Sequence, residues 1–324
     1  MGRTQVILVG GQGRVVPGTS LGRYLNYIIN AESVKYTLFG CHTSIYNCIL
    51  YVHMLFLSIM NLQARIDRYR ERGFQELDAE ILVLIEESAA ALFTAFPDQF
   101  ILFGGATLVL FYESPRLSRD LDLLASPTQV PRPEEIEDVV RSSIQSIAET
   151  LGLGQLEIRK DIESPGFVKQ WVLANHKVLF SIDLTSIGGN VLETQIVKKA
   201  IANAPEKIVA TPSANHLLFQ KCETFLNRRH VKARDAFDIH LLLTRGAHLD
   251  KNLQAHLEDV IAMNEIDQES IETRIQDING KLCTVELRPV LPLAIFEELA
   301  KNEFETIRRS LRVVLGHWLG KEPQ

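Results

Sequence analysis

The sequence of 324 residues contains few cysteines, only two tryptophans and no excess of positive charge. Its four cysteines lack the paired spacing of a zinc site, which favours reduced thiols in a cytoplasmic protein. Lys and Arg number 34 against 40 Asp and Glu, and the formal net charge of −6 argues against general coating of nucleic acid. That balance leaves room for a local basic patch. The length is sufficient for one large or two modest domains.

Residues 1–60 are interpreted as an N-terminal extension of undefined role. Residues 36–64 contain no Asp, Glu, Lys or Arg, which is a property of membrane-spanning helices. His42, Asn47 and His53 weaken that interpretation, and the segment lies too far from the N-terminus for an ordinary signal peptide. An extension, an interfacial segment and a folded accessory element therefore remain open, and we expect no association with a membrane.

Downstream of residue 60, helical and strand patterns alternate before the chain becomes helical. The spacing of apolar residues and the flanking turn residues define these elements. Asn175-His176 is expected to form a tight turn between two strands. Strands are predicted over residues 100–103, 119–124, 155–160, 167–173 and 177–187. Helices are predicted over residues 77–95, 106–112, 134–151, 193–202, 213–227 and 233–243, with further helices towards the C-terminus.

This order of elements predicts an α/β (α+β) fold with two parts. A mixed α/β part covers residues 61–203, and a helical part covers residues 204–324. The segment 203–212 contains two prolines and is the expected junction between the two parts.

Two aspartates, Asp120 and Asp122, lie one residue apart in a predicted strand. Alternate residues of a strand point to the same face, so both carboxylates project together while Leu121 and Leu123 enter the core. Two like charges side by side repel each other unless a cation lies between them. The pair therefore indicates a divalent metal site, and oxygen-rich sites of this kind suit Mg²⁺.

A glycine pair, Gly104-Gly105, ends the strand that precedes the two aspartates. Glycine lets the backbone approach phosphate oxygens closely, and amides at a helix start offer donors to an anion. Ser118 adds a hydroxyl two residues before Asp120. Together these features predict a nucleoside triphosphate site, in which the carboxylates hold metal ions against the triphosphate and the attacking hydroxyl.

Two-metal phosphoryl chemistry commonly uses a third carboxylate from a neighbouring strand, and Asp183 fits that role. It is the single acid in an apolar strand, where an unpaired charge would be costly to bury. The alternatives left open are an exposed sheet edge or pairing with an arginine. Trp171, in the preceding predicted strand, is expected to be a packing residue.

Two blocks of the sequence resemble the AbiEii/AbiGii toxin family, which comprises nucleotidyltransferases of the DNA polymerase β-like superfamily. The first block is Phe103 to Leu108 together with Arg116 to Leu123. The second joins Lys221 and Arg228 to the run from Arg234 to Ile239. The resemblance covers residues 75–245. It implies a polymerase β-like nucleotidyltransferase core with a mixed sheet, followed by a C-terminal helical domain.

The resemblance also implies roles for individual residues. Asp120, Asp122 and Asp183 would bind Mg²⁺ or Mn²⁺, and Asp183 would also be the general base for the acceptor hydroxyl. Asp238 would fix basic side chains. The residues implied to contact the triphosphate are Gly104, Gly105, Ser118 and Lys221. Those implied to be catalytic are Asp120, Asp122, Asp183, Lys221 and Asp235.

The implied activity is transfer of a nucleoside monophosphate from a nucleoside triphosphate to an acceptor hydroxyl, by a toxin that has a cognate antitoxin. One basic cluster is compatible with a tRNA acceptor and equally with a solvated helix–loop–helix face. An aminoglycoside-like nucleotidyltransferase for small molecules and a non-catalytic nucleotide- or partner-binding relative are the alternatives. The basic cluster consists of Lys221, Arg228, Arg229, His230, Lys232 and Arg234.

Overall fold

The computed structural model describes residues 61–126, 130–164, 166–186, 196–201 and 204–319. Residues 1–60, which contain most of the long uncharged segment and two of the four cysteines, lie outside the described residues. Within the described ranges, no helix is long and apolar enough to cross a membrane.

The first part of the chain is a mixed α/β structure, as the sequence predicts. Strands and helices alternate up to residue 150, and three strands in succession follow. Asn175 and His176 both have positive φ and form the tight turn expected between the last two strands. The helices are α1 (described over 61–71), α2 (Glu76–Ala95), α3 (Gly104–Phe111) and α4 (Pro133–Thr150). The strands are β1 (Phe100–Phe103), β2 (Asp120–Ala125), β3 (Leu156–Ser164), β4 (Phe167–Ala174) and β5 (Lys177–Ser186).

These strands form one five-stranded mixed sheet with the order β1-β2-β5-β4-β3. Strand β2 runs parallel to β5, and the other neighbouring pairs are antiparallel. In β2, Leu121 and Leu123 are fully buried, while Asp120 and Asp122 on the other face are only partly buried. The alternation predicted for this strand is therefore confirmed. It places the two carboxylates on the face of the sheet away from the core.

The prediction of a helix over 193–202 is wrong, and the segment 203–212, which the sequence analysis takes as the junction between the two parts, contains a strand. The described residues of this region form strands β6 (Ile196–Ile201) and β7 (Ala204–Pro212), which pair as an antiparallel hairpin. β-Branched residues favour the strand. Burial alternates between neighbouring residues of β7, since Val209 is buried and Ile208 is exposed. Val209 packs into the same core as the five-stranded sheet. The domain boundary at residue 203 stays a prediction.

The remainder of the described chain is helical, as expected. Four of its helices begin at a side chain that caps the first turn, namely Ser213, Asp250, Asp267 and Asn279. Cys222 and Cys283 are free thiols buried in this part. The helices are α5 (Ala214–Asn227), α6 (Ala233–Thr244), α7 (Lys251–Met263), α8 (Gln268–Gln276), α9 (Gly280–Glu286), α10 (Leu293–Lys301) and α11 (Glu305–Val314), followed by a 3₁₀ turn (Gly316–Leu319).

Two hydrophobic cores meet at the short helix α3. Ala106 and Val109 of this helix belong to the core of the sheet, whereas Leu108 belongs to the core of the helical part. The loop after α3 also connects the two parts of the chain, because the backbone N–H of Leu117 donates to the carbonyl oxygen of Val290 at 2.7 Å. The glycine pair at the start of α3 therefore lies at the boundary of the two cores, where a cleft opens.

Candidate active site

Three charged side chains from neighbouring strands lie in one row across the face of the sheet opposite Leu121 and Leu123. Asp122 of β2 is in register with Asp183 of β5, and Asp183 is in register with Lys169 of β4. Residues paired in this way project from the same face. Lys169 donates from Nζ to both carboxylate oxygens of Asp183, at 2.9 and 2.7 Å. Asp183 is thus on an interior strand with a lysine partner, which corrects both alternatives considered from sequence.

A second row on the same face, two residues along each strand, holds Asp120, Ser181 and Trp171. Ser181 donates from Oγ to Oδ1 of Asp120 at 2.9 Å. The ring of Trp171 lies under the ammonium of Lys169, 4.4 Å from Nζ to the ring centroid. Trp171 is therefore a neighbour of the carboxylates, although the sequence suggested an ordinary packing residue. Such a cation–π contact restrains the lysine as well as stabilising its charge.

The surroundings of Asp122 disfavour its ionised form. Burial, followed by the charges of Asp120 and Asp183, raises the pKa of Asp122 to about 7, against the opposing effect of Lys221 and Lys169. The neighbouring ammonium groups therefore do not compensate the negative charge at this point of the sheet. A site that resists ionisation in this way is suited to an additional cation.

The carboxylates fit a divalent cation in donor chemistry, since carboxylate oxygens are the ligands that Mg²⁺ prefers. Among the described residues, no group of three or more His, Cys, Asp or Glu side chains is arranged so that it could hold a metal ion. The geometry gives the reason, because both oxygens of Asp183 face Lys169. Within the described part of the chain, no lysine makes a contact of this kind with Asp120 or Asp122.

The glycine pair touches the site's own side chains. A methyl group on Gly104, whose φ is +73°, would lie 2.1 Å from Oδ2 of Asp122. A methyl group on Gly105 would lie 2.3 Å from Oγ of Ser118, which is itself buried. Real Cβ atoms do not approach other heavy atoms this closely. Both glycines are therefore required by the position of predicted site residues. Their contact with a phosphate stays a prediction.

The helical part contributes a buried network of charges on the other side of the cleft. Arg116, in the loop before β2, donates from Nε and Nη2 to the two oxygens of Asp238 on α6, each at 2.8 Å. Lys221 on α5 contacts Asp238 at 2.8 Å and Asp235 at 3.4 Å. Burial would raise the pKa of Asp238, but Arg116 and Lys221 hold it below its usual range. Asp238 thus fixes basic side chains, as the resemblance implied.

Sequence reasoning missed Lys169 and Arg116 as members of this arrangement. Arg116 was part of the first motif block, but nothing in the block shows that its partner lies 122 residues further along. The available signal was the expectation that Asp238 binds a basic side chain. Lys169 gave no signal of its own, because its contact with Asp183 depends on strand pairing across a hairpin.

One cleft of about 440 Å³ brings most of the predicted site residues together. Its walls come from the glycine turn and β2 on one side and from α5 and α6 on the other. Asp183 does not line this cleft but adjoins it through its register with Asp122. The predicted residues that do line it are Gly104, Gly105, Ser118, Asp120, Asp122, Lys221 and Asp235.

The basic cluster predicted from sequence is divided between two surfaces. Arg228 and Arg234 line the cleft together with Lys221, and Nε of Arg228 lies 3.3 Å from Asp235. Arg229 and His230 line a neighbouring groove of about 840 Å³ between this loop and helices α8 and α9. The sixth residue of the cluster, Lys232, pairs with Glu286 at 3.0 Å.

A family model for the nucleotidyl transferase AbiEii toxin, of type IV toxin–antitoxin systems, matches residues 89–314. The match spans more than half of the chain and includes both motif blocks. The chain belongs to this family. It is accordingly a nucleotidyltransferase and a toxin of a toxin–antitoxin system, which implies a nucleoside triphosphate as substrate and a cognate antitoxin. The resemblance inferred from sequence, the α/β fold class and the enzyme class are confirmed.

Three solved structures are similar to this AbiEii-family chain, each at 15% sequence identity. A candidate nucleotidyltransferase from H. pylori has a TM-score of 0.49, with 76% of this chain and 98% of the other covered. JHP933 from Helicobacter pylori has a TM-score of 0.48, with 75% of this chain and 96% of the other covered. MenT4, a nucleotidyltransferase toxin from Mycobacterium tuberculosis H37Rv, gives 0.43, with coverage of 76% and 92%. A search of curated protein sequences gave no match.

Proposed function

We propose that this AbiEii-family protein transfers a nucleoside monophosphate from a nucleoside triphosphate to a hydroxyl of tRNA, with a divalent cation bound at the sheet. The supporting observation is the cleft itself. It sets two strand carboxylates, Asp120 and Asp122, beside the glycine turn and opposite Lys221. This combination of acid, backbone and ammonium groups is what a metal-bound triphosphate requires.

The carboxylates would hold the cation and direct the acceptor. When bound, a Mg²⁺ or Mn²⁺ ion supplies Lewis acidity and neutralises phosphate charge. Asp120 and Asp122 would be its ligands, and such an ion would counteract the burial and the neighbouring carboxylate charges that raise the pKa of Asp122. Asp183, adjacent to Asp122 in register, would be the third carboxylate and the base for the acceptor hydroxyl.

The opposite wall would bind the triphosphate. Gly104 and Gly105 would let its phosphates approach the backbone at the start of α3, beside the hydroxyl of Ser118. Lys221 is positioned by Asp238, which Arg116 in turn holds. Its ammonium would stabilise negative charge that develops during transfer, an effect that works best when the group is already oriented. Asp235, 3.4 Å from Lys221, would complete the orientation.

The basic side chains around the cleft support a polyanionic acceptor. Arg228, Arg229 and Arg234 are all exposed, in a protein whose overall charge is negative. Arg228 and Arg234 line the cleft, and Arg229 continues the positive charge into the neighbouring groove. Clustered arginines of this kind bind phosphate backbones without reading sequence.

The direct test is a transfer assay with purified full-length protein. Each of the four labelled nucleoside triphosphates is incubated with Mg²⁺ and either total tRNA or a panel of small aminoglycoside acceptors. The site variant is Asp120→Asn/Asp122→Asn, which removes negative charge from the site. Its matched control is Asp161→Asn, which removes the same charge from an exposed position on β3.

We expect label in tRNA with wild type and with Asp161→Asn, and none with the double variant. Label only in the small acceptors would overturn the tRNA assignment while keeping the enzyme class. Undiminished labelling by the double variant would overturn the site. Incorporation that persists in EDTA would overturn metal dependence.

A further inference from the structure

The ammonium group of Lys169 lies among the acidic side chains of the site. This group bridges both oxygens of Asp183 and lies 3.4 Å from Oγ of Ser181, which in turn binds Asp120. It is therefore connected to two of the three carboxylates of the site. A single positive group held among acidic oxygens in this way resembles a bound ion in both charge and location.

The lysine is held there by the fold. Strand register aligns Lys169 with Asp183, so the pair forms wherever β4 and β5 are correctly paired. The side chains of Lys169 and Asp183 are only 16% and 18% exposed, unlike an ordinary surface pair. The ring of Trp171 closes one side of the ammonium at 4.4 Å. Restraint by a partner strand, an aromatic ring and burial distinguishes Lys169 from a solvated lysine.

We propose that Lys169 supplies the second positive charge of the active site, so that the protein binds one divalent cation where three bare carboxylates would bind two. This inference rests on the proposed function, since it takes Asp120 and Asp122 as the ligands of that one cation. A dication at Asp183 would meet an ammonium already within hydrogen-bonding distance of both oxygens, and the two like charges would repel strongly at such separations. Lys169 is thus a positioning residue that sets the number of metal ions.

Metal counting tests this inference without measuring catalysis. Wild type, Lys169→Met and Lys177→Met are titrated with Mn²⁺, and bound ions per chain are obtained from the electron paramagnetic resonance of the free ion. Lys177→Met is the matched control because it removes an exposed positive charge from the far end of the same strand as Asp183. Two further variants are Lys169→Met/Asp183→Asn and Asp120→Asn/Asp122→Asn.

We expect one Mn²⁺ per chain in wild type and in Lys177→Met, and two in Lys169→Met. The second ion should disappear again in Lys169→Met/Asp183→Asn. A lysine with a purely structural role would not create a metal site that depends on Asp183. Thermal melting of each variant confirms that it is folded before ions are counted.

Two ions in wild type, or one in folded Lys169→Met, would overturn the role of Lys169 and leave the proposed function intact. Retention of the wild-type ion by Asp120→Asn/Asp122→Asn would overturn the proposed metal site itself, and the inference with it. The two failures are therefore separable in one set of titrations.

Discussion

The backbone of Gly104 is in direct contact with the side chain of Asp122: a methyl group added to the glycine would lie 2.1 Å from Oδ2. Gly104 also has a φ of +73°, which is unfavourable for any residue with a Cβ atom. Gly152 has the same φ of +73°, and none of the described residues places an atom within 4 Å of the added methyl group. Substitutions at the two glycines therefore share the backbone strain, and only the substitution at Gly104 also displaces the carboxylate of Asp122.

Replacing Gly104 by alanine is expected to abolish most of the transfer activity, whereas Gly152→Ala should keep it. Both variants carry a strain of about 1–2 kcal/mol from the positive φ. Gly104→Ala must in addition move Asp122, and a displacement near 1 Å at a reacting centre costs on the order of 100-fold in rate. Steady-state transfer rates and urea unfolding of both variants measure the two effects. Equal activity of the two variants would contradict the contact.

Asp122→Asn is expected to stabilise the metal-free protein at pH 8. A carboxyl whose pKa is raised to about 7 in the folded state resists the ionisation that it undergoes freely in the unfolded chain. The resulting penalty is absent below pH 4, grows as pH rises towards 7 and is complete above it. A tenfold difference in proton affinity is worth about 1.4 kcal/mol, which puts the full effect on the order of 4 kcal/mol at most.

The measurement is thermal unfolding of wild type and Asp122→Asn in EDTA at pH 4.5 and pH 8. The advantage of the variant should be large at pH 8 and shrink at pH 4.5. Mg²⁺ added at pH 8 should reduce the difference by stabilising the wild type alone. A difference that grows on acidification would have the wrong sign for a raised pKa and would refute it.

The parts of the site that could be predicted from sequence are those encoded within one or two neighbouring elements. The alternation of polar and apolar residues along β2 predicted that Asp120 and Asp122 point to the same face, and the glycine pair predicted a turn next to them. Asp183 could be selected as the third acid because it is a charge in an otherwise apolar strand. Local pattern was sufficient for each of these residues.

The partners of these residues could not be predicted, because they depend on how distant elements pair. Lys169 reaches Asp183 only through the register of β4 with β5, and Arg116 reaches Asp238 only after the helical part has packed on the loop before β2. The hairpin of β6 and β7 was missed for a related reason. Taken alone, the pattern of residues 193–202 predicts a helix. The packing of Val209 into the core of the sheet favours a pair of strands instead.

Lys221→Met is expected to lower the transfer rate by about 100- to 1000-fold while leaving the protein folded. The loss corresponds to removal of one oriented electrostatic group from a site of developing negative charge. Folding should tolerate the change because Asp238 keeps both of its contacts with Arg116. Lys198→Met, which removes a lysine 71% exposed on β6, is the control. A transfer rate of Lys221→Met close to that of this control would show that Lys221 is a structural lysine.

Asp238→Asn is expected to destabilise the protein by about 3–5 kcal/mol, because it leaves the buried guanidinium of Arg116 without its opposite charge. Arg116 and Asp238 are both almost inaccessible to solvent, at 6% and 0% side-chain exposure. The matched comparison is Asp78→Asn, which breaks the 2.6 Å contact with Arg119, whose side chain is 42% exposed. Exposed pairs contribute about 0–1 kcal/mol, so this control should change little.

Urea unfolding of the two variants separates the buried pair from the exposed one, and a second comparison tests the mechanism. In Arg116→Met/Asp238→Asn the uncompensated guanidinium is gone, so this double variant should recover part of the stability that Asp238→Asn loses. Its activity should remain low, because Lys221 has lost the carboxylate at 2.8 Å that orients it. A double variant less stable than Asp238→Asn would show that the guanidinium stabilises the fold through packing rather than through its charge.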